Sequence, residues 1–170
     1  GMTLRGGQLA WVMPGTNAKM NEFQALMGLQ VLKHLPTLIE KRRRITELYR
    51  AQLAGIPGVI LPPPLPANVA YNYAYFPIEI DEAEFGLSRD ALYTRLKEFN
   101  VFTRRYFYPL LCDFACYRSV ALNAPLPVAR RVAQRILTLP IYDSLPSEDA
   151  LHICAIIKHL SRAFRFKSKS

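Results

Sequence analysis

The sequence predicts an α+β domain, a small antiparallel or mixed sheet of about three strands covered by helices. Three observations carry that expectation. Apolar residues recur at helical spacing in several long stretches. Three shorter stretches rich in β-branched and aromatic residues fall between them. And 170 residues, 51% of them hydrophobic, are enough to bury one core. The order reads helix–helix–strand–helix–strand–helix–strand–helix, with no internal repeat, and the helices are expected to layer on the sheet.

Pro14-Gly15 marks a turn. Asn17 and Lys19 follow it, polar and outward-facing ahead of a helix start. That arrangement suits an anion site as well as a plain solvated junction. Asn21 and Gln24 read as a capping pair. Behind them Phe23, Leu26, Met27, Leu29, Val31, Leu32 and Leu35 make residues 21–35 apolar around nearly the whole circumference. A helix of that kind is buried on several sides, so it predicts contact with a second domain or a partner subunit. Pro36 is expected to begin a second helix, striped by Leu38, Ile45, Leu48, Tyr49 and Leu53 and ended by Gly55, Pro57 and Gly58.

Residues 59–67 form a proline-rich connector, stiffened by Pro62-Pro63-Pro64. The alternation over residues 69–80 predicts a strand with Tyr71, Tyr73 and Tyr75 on one face and Ala70, Ala74, Phe76 and Ile78 on the other. Pro77 marks an edge or a strand end. The tyrosine face would pack on a helix or stack on a nucleobase. Ser88 caps a helix over residues 89–99, with Asp90 in its first turn and Leu92, Leu96 and Phe99 inward. Residues 101–106 are expected as a second strand. Pro125 and Pro127 open a helix that buries Ala129, Val132, Ala133 and Ile136, and residues 137–141 form a third strand. Ser147 begins the last helix, striped by Ala150, Ile153, Cys154, Ile157, Leu160 and Phe164. One face of the sheet has no obvious cover within the chain.

The domain organisation expected is a linker and arm over residues 1–20, a long helical segment at a domain or dimer interface over 21–54, and a small α/β domain over 55–170. The net charge of +9 fits nucleic acid, a membrane surface or phosphorylated ligands, or a piece of a larger protein whose remainder is acidic. The dense cluster Lys41-Arg42-Arg43-Arg44 lies in a helical pattern as a solvated face. No apolar run approaches the roughly 20 residues of a membrane span, and no signal-peptide pattern opens the chain. Gly1 before Met2 reads as an expression-tag scar. Three cysteines without a CxxC, together with only His34, His152 and His159, argue against a disulfide framework and against a metal site. A reducing cytoplasmic location is expected.

Pro-Gly-Thr-Asn-Ala-Lys-Met-Asn-Glu-Phe-Gln-Ala at residues 14–25 resembles the signature of the DegT/DnrJ family of sugar aminotransferases. Leu4-Arg5, Glu40-Lys41-Arg42-Arg43 with Tyr49, Thr103 to Leu110, and Leu137-Thr138-Leu139-Pro140-Ile141-Tyr142 fit further motifs in the family's order. The resemblance implies a small C-terminal domain of a fold type I pyridoxal-phosphate enzyme, one that aminates keto-sugars carried on nucleotides. It implies a homodimer, with Asn17 reaching the cofactor phosphate of the neighbouring subunit and Lys19 adding charge nearby. Arg105 and Tyr106 fall where the family lines its sugar-nucleotide site, although residue 111 is leucine where many members carry histidine. The Schiff-base lysine belongs to the family's N-terminal domain. Lys19, Lys33, Lys41, Lys97, Lys158, Lys167 and Lys169 stand in other contexts, so no catalytic residue is assigned. The chain is read as a C-terminal part that is inactive alone, with no nucleic-acid or membrane partner. The alternatives are a stand-alone basic module for nucleotides or nucleic acid, and a dimerising remnant.

Overall fold

The computed structural model describes residues 2–5, 8–11, 18–114 and 125–167, leaving aside the side chains of 2–11, 166 and 167. The predicted turn at Pro14-Gly15, Asn17 and Cys116 lie outside the described residues. The chain divides into two units, Gly1–Pro36 and Thr37–Ser170.

In the first unit, β1 (Met2–Arg5) pairs antiparallel with β2 (Gln8–Trp11), Met2 opposite Trp11. The stretch read as a linker thus contains a two-stranded ribbon. α1 (Glu22–Leu53) begins at the expected cap. The Asn21 Oδ1 accepts from the Gln24 backbone N–H at 2.9 Å, and the Gln24 Oε1 accepts from the Asn21 N–H at 3.1 Å. Two otherwise orphaned donors are satisfied reciprocally.

Pro36 does not start a second helix; it sits inside α1. Proline forfeits one helical hydrogen bond. Strong helix formers on both sides, Gln30 to Leu35 and Leu38 to Arg44, carry the helix through that defect. The division between the two units falls at this residue.

The second unit holds a three-stranded antiparallel sheet in the order β3 (Val59–Ile60), β4 (Phe76–Ile80), β5 (Ile136–Leu139). The register sets Phe76 opposite Leu139 and Ile78 opposite Leu137. Those four and Ile80 form the buried face. The C-terminal half of α1 lies on it through Tyr49 and Leu53, with the Tyr49 and Phe76 rings 5.1 Å apart. Tyr49 donates its hydroxyl to the Pro140 carbonyl at 2.8 Å, which satisfies the one polar atom the ring carries into the core. On the other face Ile60 is exposed and Pro77 and Glu79 are half-buried, but their β5 partners Thr138 and Ile136 are buried. That face, expected to lack a cover within the chain, is covered over β5 and open only towards β3.

Two strands differ from the sequence reading. Residues 69–75 are not extended, because Tyr73 takes a left-handed backbone (φ 51°) and the Asn72 side chain accepts from the Ala74 N–H at 3.0 Å. That local turn overrides the period-2 pattern. Residues 101–106 give a single bridge, Arg104 with Thr138, rather than a strand. β3 arises instead within the connector.

Helices close the core. α2 (Glu82–Phe85) is capped by Asp81, and α3 (Arg89–Glu98) by Ser88, whose hydroxyl accepts from the Ala91 N–H at 3.2 Å. α3 buries Leu92 and Leu96, while Phe99, expected inward, is exposed just past its end. α4 (Pro127–Arg135) starts on its proline but is buried only at Ala133, where its last turn meets the sheet; Ala129 is exposed. α5 (Ser147–Lys167) packs on α2 and α3 with the predicted stripe of Ala150, Ile153, Cys154, Ile157 and Leu160.

Gly58 carries a positive φ of 76°, and a Cβ there would overlap the Phe85 backbone. Gly58→Ala should therefore lower the urea-unfolding free energy by at least about 1 kcal/mol. An unchanged midpoint would show that α2 can retreat from the turn.

Candidate functional site

The backbone bridge at Arg104, with its N–H on the Thr138 carbonyl at 3.0 Å, fixes the start of a loop running from Arg105 to Leu110. The Tyr108 N–H closes it on the Arg105 carbonyl at 2.8 Å. This places Arg105 beside the first turn of α3, at Asp90. The Tyr106 ring stacks on Phe107 at 5.0 Å and meets the edge of Tyr75 at 5.6 Å.

A ladder of cations and rings surrounds Arg105. Its guanidinium lies 4.9 Å from the Tyr93 ring and 5.4 Å from the Tyr108 ring. Lys97 sits over the other part of the ladder, 4.2 Å from Tyr93, and Arg89 lies 4.9 Å from Tyr108. One carboxylate joins the two arginines: Asp90 Oδ1 accepts from Arg89 Nε and from Arg105 Nη1, both at 2.9 Å. Arg89 is only 3% exposed and also donates to the carbonyls of Ala133 and Ile136, at 3.1 and 2.9 Å. A hydrogen bond from the Lys97 ammonium, with its charge and those of Arg105 and Arg104, holds the Tyr93 phenol below its ordinary range.

Beside this ladder opens a cavity of about 900 Å³ running from Arg105 to Phe114 and Leu126. Its walls are aromatic and aliphatic, and among the described residues that line it Arg105 is the single charged one. Phe107 and Leu111 are 71% and 72% exposed at its mouth. The short turn Leu111–Asp113 on one side is tied to α4 by Arg130, whose Nη1 donates to Asp113 Oδ1 at 3.1 Å. Apolar ring faces with one cation at the lip suit an anion that carries a planar or apolar body.

The other sequence-predicted residues divide clearly. Asn17 lies outside the described residues, and Lys19 is exposed ahead of α1 in the first unit. Arg105 and Tyr106 come together at the cavity of the second unit. The basic cluster is largely consumed on its own helix. Arg43 pairs with Glu40 at 2.7 Å and with Glu47, Arg44 pairs with Glu40 at 3.0 Å, and Arg42 donates to the Leu38 carbonyl. These partners hold the Glu40 carboxyl down at about 2. Tyr71 and Tyr73 pack edge to face at 5.2 Å and line a hollow with Pro62 to Leu65, where Arg50 holds the Pro62 and Pro63 carbonyls. Among the described residues, neither this hollow, nor the cavity at Arg105, nor a third near His152 has a lysine in its wall. Among the described residues no group of His, Cys, Asp or Glu is placed to hold a metal ion, and no helix is long and apolar enough to cross a membrane.

Sequence reasoning missed Arg89, Asp90, Tyr93 and Tyr108 as site residues. Asp90 was legible only as the acid of a helix first turn. Nothing in its spacing announces two arginines meeting on one oxygen from positions one and fifteen residues away.

A family model described as the DegT/DnrJ/EryC1/StrS aminotransferase family matches residues 1–158. A dTDP-4-amino-4,6-dideoxy-D-glucose transaminase of Escherichia coli is 42% identical over 154 residues, covering 88% of this chain and 40% of that protein. The crystal structure of DesI in the presence of its TDP-sugar product superposes with a TM-score of 0.80 at 35% identity, over 91% of this chain and 39% of that one. The aminotransferase TlmJ from Streptoalloteichus hindustanus gives a TM-score of 0.78 at 28% identity, over 95% and 42%. The chain thus spans about 40% of the length of the curated relatives it matches.

The ladder makes its own prediction. Tyr93 should ionise at lower pH than an ordinary tyrosine, because the nearby cations favour phenolate. A tyrosinate absorbance titration should lose its earliest step in Lys97→Met. An unchanged titration curve would place the Lys97 ammonium elsewhere in solution.

Proposed function

Since the chain belongs to the DegT/DnrJ/EryC1/StrS aminotransferase family, we propose that it is the C-terminal part of a pyridoxal-phosphate enzyme that aminates keto-sugars carried on nucleotides, for polysaccharide biosynthesis in the cytoplasm. The observation that carries this reading is the cavity at Arg105 and Tyr106, within the matched residues, with its aromatic walls and single cation. A nucleotide sugar offers a planar base, a diphosphate and a sugar ring. Arg105 is assigned to the diphosphate and Tyr106 to the wall that receives the substrate.

The described residues do not fit pyridoxal phosphate as a covalent guest, since that requires a lysine facing a cavity. The Schiff-base lysine is therefore assigned to another part of the whole enzyme. Asn17 and Lys19 are assigned to the phosphate end of a cofactor held by a neighbouring subunit. The chain alone should not take up pyridoxal phosphate in a form that borohydride fixes to a lysine. Fixed cofactor together with transaminase turnover would overturn that assignment.

A dimer is part of the same proposal. Phe23 is 81% exposed, Met20 72%, Met27 64% and Leu32 60%. Contiguous apolar exposure of this kind marks an interaction surface. The occupants are a second copy of the chain and the cofactor-bearing domain. Sedimentation velocity should show association that rises with concentration and weakens in the double variant Phe23→Ser, Leu29→Ser. A chain that stays monomeric at high concentration would leave that surface to the other domain alone.

The basic-module alternative loses part of its main support. Two of the four cations in the dense cluster that would carry phosphate contacts, Arg43 and Arg44, are paired internally with Glu40 and Glu47.

A further inference from the structure

We propose that Asp90 is a positioning residue for Arg105, holding the guanidinium so that it presents a free edge to the diphosphate of the ligand. The inference rests on the reading that the cavity receives a nucleotide sugar.

The geometry puts two jobs on one carboxylate. Arg89 donates to two backbone carbonyls through Nη1 and to Asp90 through Nε, so the carboxylate is countercharge to that buried cation as well as partner to Arg105. A first-turn acid needs no partner to complement a helix dipole. Asp90 nonetheless reaches out of α3 to Arg105, fifteen residues on, while its side chain stays 58% exposed. On Arg105 it engages Nη1 alone. Nε and Nη2 make no other hydrogen bond among the described residues. Tyr93 and Tyr108 flank the guanidinium plane and limit its rotation. An arginine fixed along one edge and flanked by rings retains an edge for two parallel N–H contacts with phosphate oxygens, the geometry in which guanidinium outperforms ammonium. The carboxylate does not cancel the attraction. Arg89, Lys97 and Arg105 set three positive charges against one negative, and Arg104 adds another near Tyr106.

The test uses the whole chain with dTDP and thymidine as probes, titrated by calorimetry. The unaltered chain should bind dTDP more tightly than thymidine. Asp90→Asn should weaken dTDP about tenfold, the scale of one misaligned charge-assisted contact, and leave thymidine unchanged. Asp90→Glu should recover part of the loss. Arg105→Gln should remove the preference for the diphosphate, and adding Asp90→Asn to it should cost nothing more, because the two act as a unit. Relaxation of the Arg105 Nε resonance should report an ordered guanidinium in the unaltered chain and a mobile one in Asp90→Asn. A merely structural Asp90 would weaken both probes alike or neither, and that result overturns the inference. If Arg105→Gln loses the preference while Asp90→Asn keeps it, the inference fails and the reading of the cavity stands. If Arg105→Gln keeps it, or if the unaltered chain does not bind dTDP, both fail.

Discussion

The second unit depends on where a buried guanidinium finds its partners. Arg89 cannot stay charged in the interior without them, and the chain supplies them from separate elements. α4 ends at Arg135 and β5 begins at Ile136 with no loop between. That abrupt change leaves helix-end carbonyls without helical donors. Arg89, at the first position of α3, takes the carbonyls of Ala133 and Ile136. It thereby ties α3 to the junction that starts the edge strand. The strand's Thr138 then bridges Arg104, and Arg105 follows by one residue. The position of the candidate ligand residue is inherited from a charge that had to be satisfied elsewhere.

Signals local to a few residues were legible in the sequence, and signals that needed the third dimension were not. The Asn21–Gln24 box, the Ser88 cap, the proline start of α4 and the stripe of α5 each depend on neighbours within a turn or two, and each appears where the pattern put it. The signature at residues 14–25 and its companions were likewise readable, and with them the family. Pro36 misled because proline is favoured at a helix start, yet a long run of good helix formers can absorb it mid-helix. Residues 69–75 misled because alternation is necessary for a half-buried strand and not sufficient; an Asx turn at Asn72 intervened. β3 was invisible for the opposite reason. Two residues carry no period, and Val59 and Ile60 become a strand only because Ile80 and Glu79 lie opposite.

The site shows the same limit more sharply. Arg105 and Tyr106 were found through motif resemblance, but the side chains that hold Arg105 come from α3 and from the far end of its own loop. The net charge was similarly ambiguous as a number. On α1 Arg43 and Arg44 are paired with Glu40 and Glu47 one turn away, whereas the smaller cluster around Arg105 keeps an excess beside a cavity. Location, not total charge, decides which cations can meet an anion.

Two kinds of exposure then need a common explanation. The second unit completes its own core yet turns Phe107 and Leu111 outward around a cavity, and α1 leaves Phe23, Met27 and Leu32 bare in the first. Burying those side chains would release roughly 1.5–3 kcal/mol each, which is the driving force that a covering surface would draw on under the proposed function. Among the described residues the cavity's walls offer shape, one charge and the Cys112 thiol, but no amine or acid–base pair. Under the proposed function, this chain binds and orients while the groups that make and break bonds arrive from another part of the enzyme. On that view the apolar face of α1 and the open cavity are two sides of one requirement. The first lets the covering surface dock, and the second gives the docked assembly a substrate held in place.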